Sequence, residues 1–237
     1  MLGLPDGTRA CLFDMDGVLT QTAKIHAVAW KKMFDDFLRE RMVRTGEPFR
    51  PFEKSDYTRY VDGKLRVDGC KAFLASRGIL LPEDEVGALA RRKDDLIIDI
   101  LRSEHVETYE GSVLFVEAAR ARGLKTAVVS ASKHCQDVLE SAGIADLFDV
   151  RIDGNVADEQ HLAGKPAPDT FLAAARAVGV EPGQAAVFED ALSGVDAGRA
   201  GHFGFVVGVD RAGQAAELGR HGADVVVDDL AELMEKP

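Results

Sequence analysis

Apolar and polar positions fall into blocks along this chain. The first block, Arg9 to Phe13, is a short apolar run that stops at Asp14. It reads as a buried strand ending in charge. From Thr22 to about Met42, Ile25, Ala29, Met33 and Phe37 recur every four residues, the spacing of one helix face. A polar, proline-containing stretch follows from Thr45 to Tyr60, and Val61–Asp62–Gly63–Lys64–Leu65–Arg66 reads as an ordered loop. Gly69 to Ser76 and Glu83 to about Ser103 return to helical spacing. Pro82 stands at a helix start, where its missing N–H costs nothing.

After about Tyr109 the texture changes. Short β-branched runs now alternate with helical patterns. The runs are Thr126–Val129, Val150–Ile152, Ala186–Phe188, Phe205–Val209 and Val225–Val227. Val113–Arg122, Cys135–Ala142 and Thr170–Val178 fill intervals between them as helices. Such alternation predicts an α/β fold, a Rossmann-like parallel sheet covered by helices on both faces. The opening strand belongs with this set. Residues 1–22 and 101–237 are therefore expected to form the core, and 23–100 a small α-helical cap domain inserted after the first strand. Ligands of open α/β sheets bind beyond the carboxyl ends of the strands, so chemistry is sought there.

Composition narrows the function. The 237 residues carry a formal net charge of −11, which argues against a nucleic-acid partner, because phosphate backbones are bound by basic faces. An anionic substrate would need local cations to reverse that field. No apolar run approaches the roughly 20 residues that span a bilayer, so no membrane partner is expected. The opening MLGLPDGTRA lacks a basic region followed by an apolar stretch. Cys11, Cys70 and Cys135 show no metal-ligand spacing. Free thiols of this kind fit a cytoplasmic location.

The strand ends carry the candidate chemistry. Asp14-Met15-Asp16-Gly17 puts two carboxylates two residues apart, able to approach one ion once the chain leaves the strand. Mg²⁺ favours a few carboxylates, waters and phosphate oxygens. A carboxylate can also attack phosphorus, and its neighbour can pass a proton to and from the leaving oxygen. A solvated turn is the commoner fate of these four residues alone. Ser130-Ala131-Ser132-Lys133 sets hydroxyls and N–H groups near a helix start, which suits a phosphate or a simple cap. Gly164-Lys165-Pro166-Ala167-Pro168-Asp169 places a lysine before a proline-started helix, and Val187-Phe188-Glu189-Asp190 ends a strand in two acids.

The run Phe13-Asp14-Met15-Asp16-Gly17-Val18-Leu19 resembles the nucleophile motif of the haloacid dehalogenase superfamily. The resemblance implies Asp14 as a covalent nucleophile and Asp16 as general acid/base, with the Asp16 backbone carbonyl also on the metal. It implies Ser130 and Lys165 at the transferred phosphoryl group, and Glu189 and Asp190 completing a Mg²⁺ site with Asp14 and Asp16. The matches lie in order at strand ends and span residues 13 to 194. Four clustered carboxylates would repel one another without a divalent cation, and Lys165 adds positive charge where the transition state is negative.

Asp14 through Trp30, DMDGVLTQTAKIHAVAW, is similar to the nucleophile loop and first cap helix of the β-phosphoglucomutase subfamily. Ser130 to Lys133 and Lys165 to Asp169 match it too. That resemblance implies conversion of β-glucose 1-phosphate to glucose 6-phosphate through glucose 1,6-bisphosphate, which would act as an activator. It implies a cap that closes over the sugar and excludes water. Thr22, Ala131 and Ser132 would meet the substrate, and His26 would couple closure to proton transfer. Arg66 would grip the non-transferring phosphate with its planar fork. Lys93 would stand near the sugar, with Lys64 a further cation. Three features depart from the subfamily: Asp62 where a lysine commonly precedes Gly63, a long polar Arg44–Tyr60 segment, and His134 where an asparagine is expected. A sugar-phosphate phosphatase would use the same residues with water as acceptor. A catalytically idle binding protein would not need Asp14, Asp16, Lys165, Glu189 and Asp190 together. The expected partner is a small sugar phosphate, acted on by a monomer.

Overall fold

The structure is a computed structural model that describes residues 2–103 and 106–234, the side chains of 99–103 excepted. Its strands β1 (Ala10–Phe13), β2 (Lys125–Val129), β3 (Val150–Ile152), β4 (Ala185–Glu189), β5 (Phe205–Val209) and β6 (Val225–Val227) form one parallel sheet. The order is β3-β2-β1-β4-β5-β6. β1 lies at the centre, and the chain winds outward to either side of it. The crevice between β1 and β4 is thus the switch point where ligands of such sheets bind. Phe13 pairs with Val128 on one side and Phe188 on the other. Their successors Asp14, Val129–Ser130 and Glu189 therefore emerge along one edge.

Every residue of β1 is fully buried, as a central parallel strand covered on both faces must be. Side chains alternate between two apolar layers. Cys11, Phe13, Val128 and Phe188 share one layer with Phe115 of α5 (Glu110–Ala121). Ala10, Leu12, Ala127 and Val187 share the other with Phe171 of α8 (Asp169–Val178). Phe13 stacks on Phe188 with centroids 4.5 Å apart, which fixes β1 against β4 beneath the site.

Between β1 and α5 the chain is helical: α1 (Ala23–Thr45), α2 (Lys54–Asp56), α3 (Arg66–Ser76) and α4 (Glu83–Ser103). These helices enclose a separate apolar cluster around Phe34, Phe52 and Phe73. Phe34 lies 4.2 Å from Phe73 and 5.2 Å from Phe52. The long polar segment is largely exposed but is anchored at Phe52. Buried Asp35 accepts from the Phe52 N–H at 2.8 Å, and Lys31 donates to the Phe52 carbonyl at 2.7 Å. Those bonds seat Phe52 in the cap core. Two crossings join cap to sheet and are zipped together: Gln21 N–H donates to Glu107 O and Tyr109 N–H to Leu19 O, both at 2.9 Å.

Several local expectations change. Arg66 is the first residue of α3, not the end of a loop. Tyr57–Val61 forms a π-helical turn within the stretch read as polar connection. The helix after Lys165 starts at Asp169 with Pro168 at its N-cap, and Pro166 follows a cis peptide bond. Helices α7 (Gly154–Glu159), α9 (Leu192–Ala200) and α10 (Ala215–His221) carry no strong periodic signal, being short and rich in alanine and glycine. Among the described residues, no helix is long and apolar enough to cross a membrane.

Candidate active site

β1 delivers Asp14 to the edge of the sheet, where its N–H donates to Phe188 O at 2.9 Å and extends the β1–β4 ladder by one residue. The chain then turns back. Gly17 adopts a φ of +94°, which a side chain would strain, and its N–H donates to Thr20 O at 2.8 Å. The turn brings Asp16 back over the site. One Asp16 oxygen accepts from Thr22 Oγ1 and faces His26 Nε2 at 3.5 Å. The other accepts from Ser130 Oγ at 3.5 Å.

Lys165 is the centre of the charge arrangement. Its Nζ lies 2.5 Å from Asp14 Oδ1 and 2.5 Å from Glu189 Oε1, and donates to Val129 O at 3.2 Å. Burial alone would push this amine down, but the two carboxylates carry it above its ordinary value, so it stays charged. Burial pushes Asp14 up, Lys165 pulls it down, and Glu189 and Asp16 push it up again; the net shift is well upward. Asp190 is raised by burial first, then by Asp62, Asp14 and Glu189.

Donor oxygens of Asp14, Glu189 and Asp190 lie within 4.8 Å of one another. One lysine cannot balance these buried acids and the neighbouring Asp16. The donor set is hard, anionic and free of sulfur or imidazole, which fits a divalent cation of the Mg²⁺ type.

A second chain of contacts runs into the cap. Lys93 of α4 is buried, 5.2 Å from the Trp30 ring, and its Nζ meets His26 Nδ1 at 2.9 Å. An ammonium at Nδ1 leaves the proton of a neutral imidazole on Nε2, aimed at Asp16. Burial, then Lys93, lowers His26 to about 4, and burial, then Arg66, lowers Lys93 to about 7. Lys93 thus reaches Asp16 through His26.

The pocket above this floor is lined by Asp14, Asp16 and Asp190 from the sheet edge and by Asp62, Arg66 and Lys93 from the cap. Ala131, Ser132 and Lys133 form a third wall. Ser132 N–H donates to Ser130 Oγ, and its own Oγ accepts from His134 N–H, both at 3.1 Å. Thr22 is buried under Asp16. Arg66 pairs with Asp94, to which His134 Nε2 also bonds at 3.1 Å. Lys64 lies at the rim, donating to Arg59 O at 3.5 Å. The cap loop rests on the core: Ser193 Oγ donates to Asp62 O at 2.7 Å.

The structure brings Tyr57, Asp62 and Asp94 to the site, none of which was given a role there from the sequence. Tyr57 Oη donates to Ala23 O at 3.5 Å, and burial, together with Glu189 and Asp16, raises the nearby Asp62 carboxyl to about 7 against the pull of Tyr57 and Lys165. Asp62 was visible as a departure from the subfamily loop. Asp94 had only its place beside Lys93 as a signal, and Tyr57 had none.

A model of the haloacid dehalogenase-like hydrolases matches residues 8–202. The protein named beta-phosphoglucomutase from Mycobacterium tuberculosis (strain CDC 1551 / Oshkosh) is 54% identical over 247 aligned residues, covering 99% of this chain and 94% of that one. A like-named protein of Bacillus subtilis (strain 168) is 29% identical, covering 95% of this chain and 91% of its own. The crystal structure of beta-phosphoglucomutase from Clostridium difficile superposes with a TM-score of 0.79 at 26% identity, over 96% of this chain and 93% of that one.

Proposed function

This chain belongs to the haloacid dehalogenase-like hydrolases, and from that premise we propose that it is a β-phosphoglucomutase. It would convert β-D-glucose 1-phosphate to D-glucose 6-phosphate through an aspartyl-phosphate and glucose 1,6-bisphosphate. The observation that carries this reading is the charge layout of one pocket. A buried Asp14–Lys165–Glu189 cluster forms its floor, and the cap holds Arg66 and Lys93 over it.

In this mechanism Asp14 attacks the phosphorus of glucose 1,6-bisphosphate. A new Asp14 O–P bond forms, the sugar O–P bond breaks, and Asp16 gives its proton to the departing sugar oxygen. In the return direction Asp16 removes the proton of a sugar hydroxyl as that oxygen takes the phosphoryl group from Asp14. Lys165 holds the Asp14 carboxylate in place and offsets charge on the phosphoryl oxygens. Ser130 and the Ser132 segment face the same oxygens. Asp14, Glu189, Asp190 and the Asp16 carbonyl would hold Mg²⁺, which supplies charge neutralisation to the transferring group. Thr22 and His26 hold Asp16 in position, and the cap loop at Asp62–Gly63 excludes water as it meets Ser193. Arg66 grips the phosphate that is not transferred. Glucose 1,6-bisphosphate primes the cycle by loading Asp14. The buried free thiols Cys11, Cys70 and Cys135 suit the reducing cytoplasm in which we place this reaction.

The test supplies Mg²⁺, β-glucose 1-phosphate and a trace of glucose 1,6-bisphosphate, with the α-anomer as control. Glucose 6-phosphate formed from the β-anomer alone, without matching inorganic phosphate, is expected. Inorganic phosphate without glucose 6-phosphate would instead assign a sugar-phosphate phosphatase on the same scaffold.

A further inference from the structure

Three cations of the pocket are already held by side chains. Lys93 is turned to His26, Lys133 to Asp158, and Arg66 to Asp94. Of these partners Asp94 is different in kind, because it is an anion that itself lines the pocket. Asp158 does not. A single Asp94 oxygen serves two donors, the Arg66 guanidinium and His134 Nε2 at 3.1 Å. Arg66 opens α3 and Asp94 lies on α4, both in the cap, while His134 comes from the sheet side, just before α6 (Cys135–Ser141). The contact therefore closes cap onto core. An oxygen anion shared between an arginine and an imidazole is also the arrangement a phosphate oxygen would make there.

We propose that Asp94 is an internal occupant of the subsite for the non-transferring phosphate, and that a sugar phosphate binds by displacing the Asp94 carboxylate from Arg66. The inference rests on the reading of Arg66 given above and adds a residue that sets affinity and selectivity there. A phosphate monoester carries a charge of about −1.5 to −2 near neutrality and three acceptor oxygens. It can outbid a single carboxylate for a bidentate arginine. An uncharged sugar cannot, so the pocket stays clasped against it. The exchange is open to solvent on both partners: the Arg66 side chain is 19% exposed and that of Asp94 24%. The selectivity has a cost. Every phosphate that binds works against the Arg66–Asp94 pair, so the wild-type affinity lies below what Arg66 could give.

Binding of glucose 6-phosphate by calorimetry tests this in four proteins: wild type, Asp94→Asn, Arg66→Ala and the double variant. Asparagine keeps the shape of Asp94 and its contact to His134 but gives up the charge. Asp94→Asn is expected to bind about fivefold to tenfold more tightly, the scale of one partly exposed charge pair. Arg66→Ala should bind at least about tenfold more weakly, and the gain from Asp94→Asn should vanish in the double variant, because it acts through Arg66. Equal or weaker binding by Asp94→Asn, with Arg66→Ala still impaired, overturns the displacement model alone. A gain that persists without Arg66 does the same. Equal binding by wild type and Arg66→Ala overturns the assignment of Arg66 itself, and the inference with it.

Discussion

Two residues show how burial and neighbouring charge together shape this site. Lys165 is committed to Asp14 and Glu189 at 2.5 Å each. Asp14→Asn removes the proposed nucleophile but leaves Glu189 to hold the lysine. It also removes one of several mutually repelling buried acids. Turnover should therefore fall by at least about 10⁴-fold, with a melting temperature no lower than wild type. Steady-state rates and a thermal scan check both halves, and turnover above about 1% of wild type rules out the covalent route. Lys93, lowered to about 7, is charged below that pH and neutral above it. Attraction for an anionic substrate is thus present on the acid side and lost as pH rises through about 7. The KM of glucose 1,6-bisphosphate should climb between pH 7 and 8.5. In Lys93→Met it should not, which separates this titration from that of the phosphate itself. A flat wild-type profile removes Lys93 from substrate binding.

At the scale of elements, the sheet was legible and the cap's working surface was not. β1, β3, β5 and β6 follow from residue type: β1 and β5, inside the sheet, have to be apolar, and the edge strands β3 and β6 are short runs rich in β-branched residues. The motifs at their ends were legible for the same reason: the residue after a buried strand emerges at the crevice. Cap contacts depend on distant partners. His134 meets Asp94 across 40 residues of sequence, and no local pattern encodes that. The π-helical turn at Tyr57–Val61 is likewise set by the packing of Phe52 and Val61 into the cap core. The loop after it carries a testable constraint. Gly63 has a φ of +69°, and a Cβ there would stand 2.7 Å from Ser193 Oγ and 3.0 Å from the Ala191 Cβ. Gly63→Val should leave both apolar cores intact yet keep the loop off the core. The expected result is a fall in kcat/KM of about tenfold or more, and a larger share of phosphoryl groups lost to water. An unchanged ratio of inorganic phosphate to glucose 6-phosphate would show that this loop does not exclude water.

For the molecule as a whole, the site is a concentrated version of its acidity. A chain of net charge −11 gathers Asp14, Glu189 and Asp190 in its interior around one lysine. Folding has to desolvate these acids, so the apo protein carries a standing electrostatic cost, and a cation that binds only the folded state offsets it. Mg²⁺ at about 100 times its dissociation constant stabilises by about 2.7 kcal/mol. For a chain of this size that is a rise in melting temperature of roughly 5–10 °C. Asp190→Asn should cross over: more stable than wild type without metal, because a buried charge is gone, and nearly insensitive to Mg²⁺. The pattern is diagnostic because a surface ion effect would move both proteins alike and would be reproduced by an equal ionic strength of KCl. If both proteins respond equally to Mg²⁺, the buried carboxylates do not hold the ion. If wild type responds and Asp190→Asn is less stable without metal, the Asp190 carboxylate gains more from its surroundings than its burial costs.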